Sequence, residues 1–330
     1  MSSSAPPSDL PPTIDPPAAG RWLRLSPGKP PAAAPATAPA PAVAQGSPWL
    51  HEEVARRMEQ RLQWIVAKPK RWAHWFPLRG GLQTHATVQQ RYPDAGVDLV
   101  EATPARAAAA RAALEAPWWS PRRWGVGAAA PRFLAAPEQL PAPRSVDMLW
   151  ANMALHTAAD PQALIAQWHQ ALAVDGYLMF SCLGPDTLRE LHRIYAALGW
   201  PAAGHAFTDM HDWGDMLVHA GFAEPVMDME RIVLTYESPE RLLADLREIG
   251  RNLHPQRFPA LRGRLWREHL LRALAEGLAR PDEDGRLVVT FEIVYGHAFK
   301  PVPRARLAPE SAVGLEDMRR MLRQPPRPAR

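Results

Sequence analysis

Short apolar runs, two of them ending in a polar or acidic residue, alternate with helical stretches from residue 71 to residue 183. RWAHWF (71–76), VDLVE (97–101), SVDMLWAN (145–152) and YLMFSCL (177–183) read as strands, with a weaker strand near Arg132–Leu134. GLQTHATVQQRYP (81–93), PARAAAARAALEA (104–116) and Pro161–Ala173 read as the helices between them. Strands joined by crossover helices build a parallel sheet. The expected fold is therefore α/β, and ligands of such a sheet gather at the carboxyl ends of its strands.

Upstream, WLHEEVARRMEQRLQWIV places Leu50, Val54, Met58, Leu62 and Ile65 at helical spacing, with Ser47 as the expected cap and Pro48 in the first turn. The first 48 residues hold 13 of the 37 prolines, so residues 1–46 read as a disordered Pro/Ala-rich tail. The ordered domain is expected over 47–301, with helical elements in 185–285, and a Pro/Arg-rich tail over 302–330. The turn EDG before RLVVTFEIVYGHAF (286–299) points to a hairpin with the preceding strand or to an edge strand. Residues 117–131 read as an irregular loop.

One cysteine, Cys182, leaves no intramolecular disulfide and no cysteine-rich zinc site, which suits a reducing, cytoplasmic compartment. No apolar run is long enough to span a membrane, and MSSSAPPSDL has no secretory pattern. The net charge of +4 comes from scattered arginines without a basic block interleaved with aromatics, so no nucleic-acid partner is expected.

Candidate site residues lie just past the strands. Gly80 and Gly81 open the helix after the first strand, where they admit a cofactor to the backbone or simply supply a turn with positive φ. Glu101, at the end of the second strand, is placed to bind ribose hydroxyls or to favour the dipole of the following helix. Asn152 and His156 follow the strand at 145–152 and share one cleft in such a fold, His156 doubling as a plain helix-start residue. No GxSxG, HExxH or phosphate loop is present. His205, Asp209 and His211 straddle a loop–helix junction, so no metal is expected.

From residue 146 the chain resembles the BioC-type malonyl-acyl-carrier-protein O-methyltransferases, in VDMLWANMALHTAADPQALIAQWHQALAVDGYLMFSCLGPDTLRELH and FTDMHDWGDMLVHAGFAEPVMDMERIVLTY. LLADLREIGRNL, VTFEIVYGHAFKP and HEEVARRMEQRLQWI also look like that family, extending the likeness over roughly 49–301. The resemblance implies a Rossmann-like class I methyltransferase fold, a mostly parallel seven-stranded sheet with helices on both faces. It implies S-adenosylmethionine as cofactor and the free carboxyl of a malonyl thioester as substrate in biotin synthesis. It implies an acyl carrier protein or CoA thioester as partner, an acidic carrier suiting a basic surface. An arginine holding the substrate carboxylate is implied too, with Arg251 and Arg257 as candidates.

Glu101 in EATP matches the family's ribose-binding acid, and Glu138 lies in Ala136-Pro137-Glu138-Gln139-Leu140-Pro141, which corresponds to its Asp-Ala-Glu-x-Leu-Pro. The chain departs at two positions. His74 stands where the first strand normally ends in an Asp before a glycine run, and Ala136 replaces the adenine-side Asp. Two other readings stay open: a catalytically inactive methyltransferase-like scaffold for a protein partner, and a hydroxylase like the mitochondrial complex I assembly factor.

Overall fold

The computed structural model describes residues 14–25, 47–114 and 130–303. In chain order, α1 (Pro16–Arg24) and α2 (Trp49–Arg61) precede β1 (Arg71–Trp75), the short α3 (Pro77–Gly80), α4 (Leu82–Arg91), β2 (Gly96–Glu101) and α5 (Pro104–Leu114). Then come β3 (Arg132–Ala135), β4 (Val146–Ala151), α6 (Pro161–Ala171), β5 (Leu172–Leu183), α7 (Arg189–Ala197) and α8 (Met210–His219). β6 (Ala223–Tyr236), α9 (Pro239–Ile249), α10 (Arg264–Leu278) and β7 (Leu287–Phe299) complete the domain.

The seven strands form one sheet in the order β3-β2-β1-β4-β5-β7-β6. Pairings from β3 to β5 are parallel; β7 runs antiparallel to both β5 and β6. Side chains alternate across a strand, and this alternation feeds two cores. Trp72, Met148, Trp150, Tyr177 and Met179 pack with α2, α4, α7, α9 and α10 on one face. Ala73, Trp75, Leu149, Leu178 and Phe180 pack with α6 and α8 on the other. Helices thus cover both faces, as the resemblance implied, and among the described residues no helix is long and apolar enough to cross a membrane.

Three expectations are corrected. The stretch assigned to the tail contains a helix, α1. Asp15-Pro16-Pro17 starts it, and Ala18, Ala19 and Trp22 fall on one side, buried with Ile14 and Leu253. Proline-rich composition hid a single amphipathic stripe. The low-complexity run 30–44, the loop at 117–129 and the tail from 304 lie outside the described residues. Second, β7 is not an edge strand: it pairs antiparallel with the preceding strand β6, as one of the two expectations had it, but across α9 and α10 rather than through the EDG turn. Its residues from Leu287 to Tyr295 are buried or half-buried on both faces, which places it inside the sheet. β6 takes the edge, guarded by Asp228, Glu230 and Arg231. Third, Ser47 does not cap α2; its Oγ accepts from the Leu82 N–H at 2.9 Å and so serves the amino end of α4.

Gly296 in β7 lets β5 and β6 close on it, since a Cβ there would lie 2.3 Å from the Phe180 ring. Gly296→Ala is expected to destabilise the fold by about 1–3 kcal/mol through overpacking, read as a lower urea midpoint with an unchanged slope. A wild-type midpoint would contradict this packing.

Candidate functional site

β2 delivers Glu101 to the end of the sheet with no solvent exposure. One carboxylate oxygen accepts from the Leu78 N–H of α3 at 2.8 Å; the other accepts from Arg106 Nε at 2.7 Å. Arg106, in the first turn of α5, is itself only 2% exposed. Its Nη1 donates to the Leu25 carbonyl at 2.8 Å, just past α1. Arg79 in α3 completes the closure. Its Nη2 donates to the carbonyls of Trp22 and Leu25, and its guanidinium lies 3.3 Å from the centre of the Trp22 ring. Burial and the neighbouring Arg106 push the Arg79 pKa down to about 9, which leaves it a cation at neutral pH.

On the β1 side, His74 is fully buried in a three-ring cluster with Trp72 and His85, each ring stacking on the other two, with its Nδ1 3.1 Å from that of His85. One neutral ring donates to the other. Burial, then repulsion from His85, holds His74 well below its ordinary range. Gly80 carries no side chain because a Cβ would sit 3.1 Å from the Asn152 carbonyl. Asn152 Nδ2 donates to the Gly80 and His51 carbonyls at 2.7 and 2.8 Å, and its Oδ1 accepts from Ser181 Oγ at 2.6 Å. Gly81 adopts φ 120°, which only glycine enters freely. The amino end of α4, a natural anion site, is already filled by Glu52, whose carboxylate accepts from the N–H groups of Gln83 and Thr84.

An adenosyl group does not fit this arrangement. Its ribose acid would be Glu101, which is sealed from solvent and bonded to Leu78 and Arg106. The two glycines face the protein's own carbonyls and side chains, His74 is a buried imidazole held uncharged, and Glu138 is exposed in the turn after β3.

The open volume lies further along the sheet. A cavity of about 450 Å³ has His156, Leu183, Leu191, Tyr195, Phe207 and Phe291 among its walls. His156 Nδ1 accepts weakly from the Leu183 N–H at 3.4 Å, so its Nε2 carries the proton; burial and His205 hold the ring well below the ordinary histidine range. His205 donates from Nε2 to the His156 carbonyl at 3.1 Å and accepts at Nδ1 from the Leu253 N–H. The Leu253 carbonyl in turn accepts from the Asp15 N–H at 2.8 Å, so the cavity wall is tied to α1. Arg247, Arg251, Arg262 and Arg267 add cations to the cavity, with Arg262 stacked on Trp266 and Phe258. Of the two arginines singled out from the sequence, Arg251 lines this cavity, whereas Arg257 is paired with Asp15 at 2.7 Å.

Sequence comparison agrees with this architecture. A "Malonyl-[acyl-carrier protein] O-methyltransferase" from Laribacter hongkongensis is 41% identical over 264 residues, covering 78% of this chain and 84% of the relative. The chain belongs to the malonyl-[acyl-carrier protein] O-methyltransferase family. A relative from Gallionella capsiferriformans with the same name is 38% identical, covering 77% of this chain and 85% of its own length. No family model matches the chain. Among solved structures, a candidate methyltransferase from Bacillus halodurans has a TM-score of 0.50 at 16% identity, over 76% of this chain and all of that one, which shows the shared fold.

The site of this methyltransferase includes residues that the sequence did not single out. Arg79, Arg106, Glu52, Tyr195, Arg262 and Trp266 sit on helices and loops without a motif. His205, read only as a weak metal ligand, is a cavity-wall residue, while Asp209 caps α8 and pairs with His211 in solvent. The charge excess of the segment around Arg262 was the one available signal.

Removing Arg106 alone leaves a buried carboxylate unpaired, so Arg106→Leu should cost about 3–5 kcal/mol, and Glu101→Leu/Arg106→Leu distinctly less. Urea unfolding of the cycle checks this; a double variant as damaged as the sum would contradict a buried pair.

His51 and His85 are each lowered by burial from 6.5 to about 4. The unfolded chain takes up these protons first. Their contribution is therefore full above about pH 6.5 and is lost as pH falls towards 4, by about 3 kcal/mol per group at most. The urea midpoint should fall between about pH 7 and about pH 5, and less so in His85→Gln.

Proposed function

We propose that this methyltransferase transfers a methyl group from S-adenosylmethionine to the free carboxyl of a malonyl thioester in biotin synthesis, the thioester being carried by an acyl carrier protein or CoA. The observation that carries this reading is the 41% identity over most of a malonyl-[acyl-carrier protein] O-methyltransferase, joined to an arginine-lined apolar cavity beyond the carboxyl ends of β4 and β5. The chemistry requires no catalytic base. A carboxylate is already ionised at neutral pH, so its oxygen attacks without losing a proton. What the protein must supply is alignment and exclusion of water.

The cavity offers both. Leu183, Leu191, Phe207 and Phe291 exclude water from the thioester arm. Arg251 reaches the same space and is the residue assigned to the carboxylate, with Arg262 held ready by its stacking on Trp266. His156, uncharged with Nε2 protonated, donates rather than accepts in this wall. Gly80, Gly81, Glu101, Glu138 and Asn152 remain the proposed cofactor side, on the strength of their place in the fold. A cytoplasmic setting goes with the lone, buried Cys182.

The described arrangement does not fit the cofactor. Admission requires that Arg106 and the end of α1 give way over Glu101. Calorimetry on the full-length chain tests this, with S-adenosylmethionine and its demethylated product as titrants. Micromolar binding that is lost in folded Glu101→Gln is expected. Trp22→Ala, which removes the ring beneath Arg79, should tighten that binding up to about tenfold by lowering the population of the closed form. No heat from either ligand, in wild type and in Trp22→Ala alike, would overturn the methyltransferase assignment and favour a partner-binding scaffold.

A further inference from the structure

Residues 247–272 carry seven arginines against two glutamates, a formal charge of +5, whereas the whole chain carries only +4. Every other segment taken together is therefore close to neutral, slightly acidic. This one segment comprises the end of α9, the connection to α10 and the first half of α10. Among the described residues, only Arg257 and Arg264 of the seven are ion-paired. Two leucines of the same segment are exposed: Leu261 fully and Leu265 to 81%.

The position of these residues relative to the cavity is informative. Residues that line a cavity and are also exposed mark its mouth; residues that line it and are buried mark its floor. Leu261, Arg262 and Arg267 belong to the first class, and His156, Leu191 and Leu270 to the second. The basic, leucine-studded segment is thus the rim of the cavity. Arg264 and Leu265, which do not line it, extend the rim outward along α10.

A cavity of about 450 Å³ admits a thioester and its arm but no folded protein. A carrier protein must therefore stay outside and touch the rim while its arm reaches inward. We infer that the arginine- and leucine-bearing rim at residues 261–272 docks the acidic face of an acyl carrier protein. This inference rests on the proposed reaction for the identity of the partner, and it adds where that partner binds. Arginines steer an acidic carrier to the mouth and set its orientation. Leu261 and Leu265 add exposed apolar side chains to the basic rim for contact with the carrier.

The test uses the full-length chain and the double variant Arg264→Glu/Leu265→Glu, whose side chains are exposed and outside the cavity. Binding of malonyl carrier protein is measured by calorimetry, and methyl transfer is assayed separately with malonyl carrier protein and with malonyl-CoA. Binding of the carrier should weaken about tenfold or more in the variant and fall with added salt in the wild type. Turnover of malonyl-CoA should be unchanged. Carrier binding equal to that of the wild type, or an equal loss on both thioesters, overturns the docking surface. Weakened carrier binding in a wild-type background that methylates neither thioester supports the surface and refutes the proposed reaction.

Discussion

The carboxylate of Glu101 and the guanidinium of Arg106 share a space from which water is excluded, and four parts of the chain are arranged to keep it so. Taking two charges out of water costs several kcal/mol per ion, and mutual attraction repays this only when their remaining hydrogen-bonding capacity is met. Leu78 donates its N–H to the carboxylate, which fixes α3 against β2. Leu25 accepts from the far side of Arg106, which fixes the end of α1. Arg79, on α3, binds the same stretch of α1 and stacks on Trp22. The docking of an otherwise isolated nine-residue helix follows from this arrangement, since α1 and Leu25 just past it supply acceptors for buried Arg106 and half-buried Arg79.

α1 is also the element that joins the two halves of the cleft. At one end it closes over Glu101. At the other, Asp15 bonds to Leu253 and to Arg257, and Leu253 bonds to His205, which bonds to His156 in the cavity wall. A continuous run of hydrogen bonds therefore links the cavity wall to the helix that covers the cofactor side.

The strand pattern was legible because it is local. Alternating side chains on β1, β4 and β5 face two different cores, so apolar residues occupy consecutive positions and the runs stand out in the sequence. Helix α2 was legible for the same reason at a period of 3.6 residues. β7 was visible as a strand and so was its pairing with the preceding strand as an alternative, but its insertion beside β5 was not, because that is settled by packing that closes on Gly296. α1 was hidden by its composition: three buried side chains in a proline-rich stretch give too weak a periodicity to register. In the site, Glu101 was found by its position after β2, whereas Arg106, five residues later, looked like one of many scattered arginines. Gly80 and Asn152 were found too, yet both serve contacts within the protein that no spacing rule reports.

By itself the sequence determined the α/β class, the parallel run of strands, the family, and the positions at the carboxyl ends where chemistry was to be sought. These follow from periodicity and from matches along the chain, each of which is a property of neighbouring residues. Tertiary structure alone decided which partner each of those residues holds. It turned Glu101 inward to a buried cation, placed Glu52 at an anion site 31 residues along the chain, and gathered arginines from two helices around one cavity mouth. The physical reason is that a charge or a carbonyl buried far from water takes whichever partner the fold brings within about 3 Å, and that distance is set by packing between segments remote in sequence.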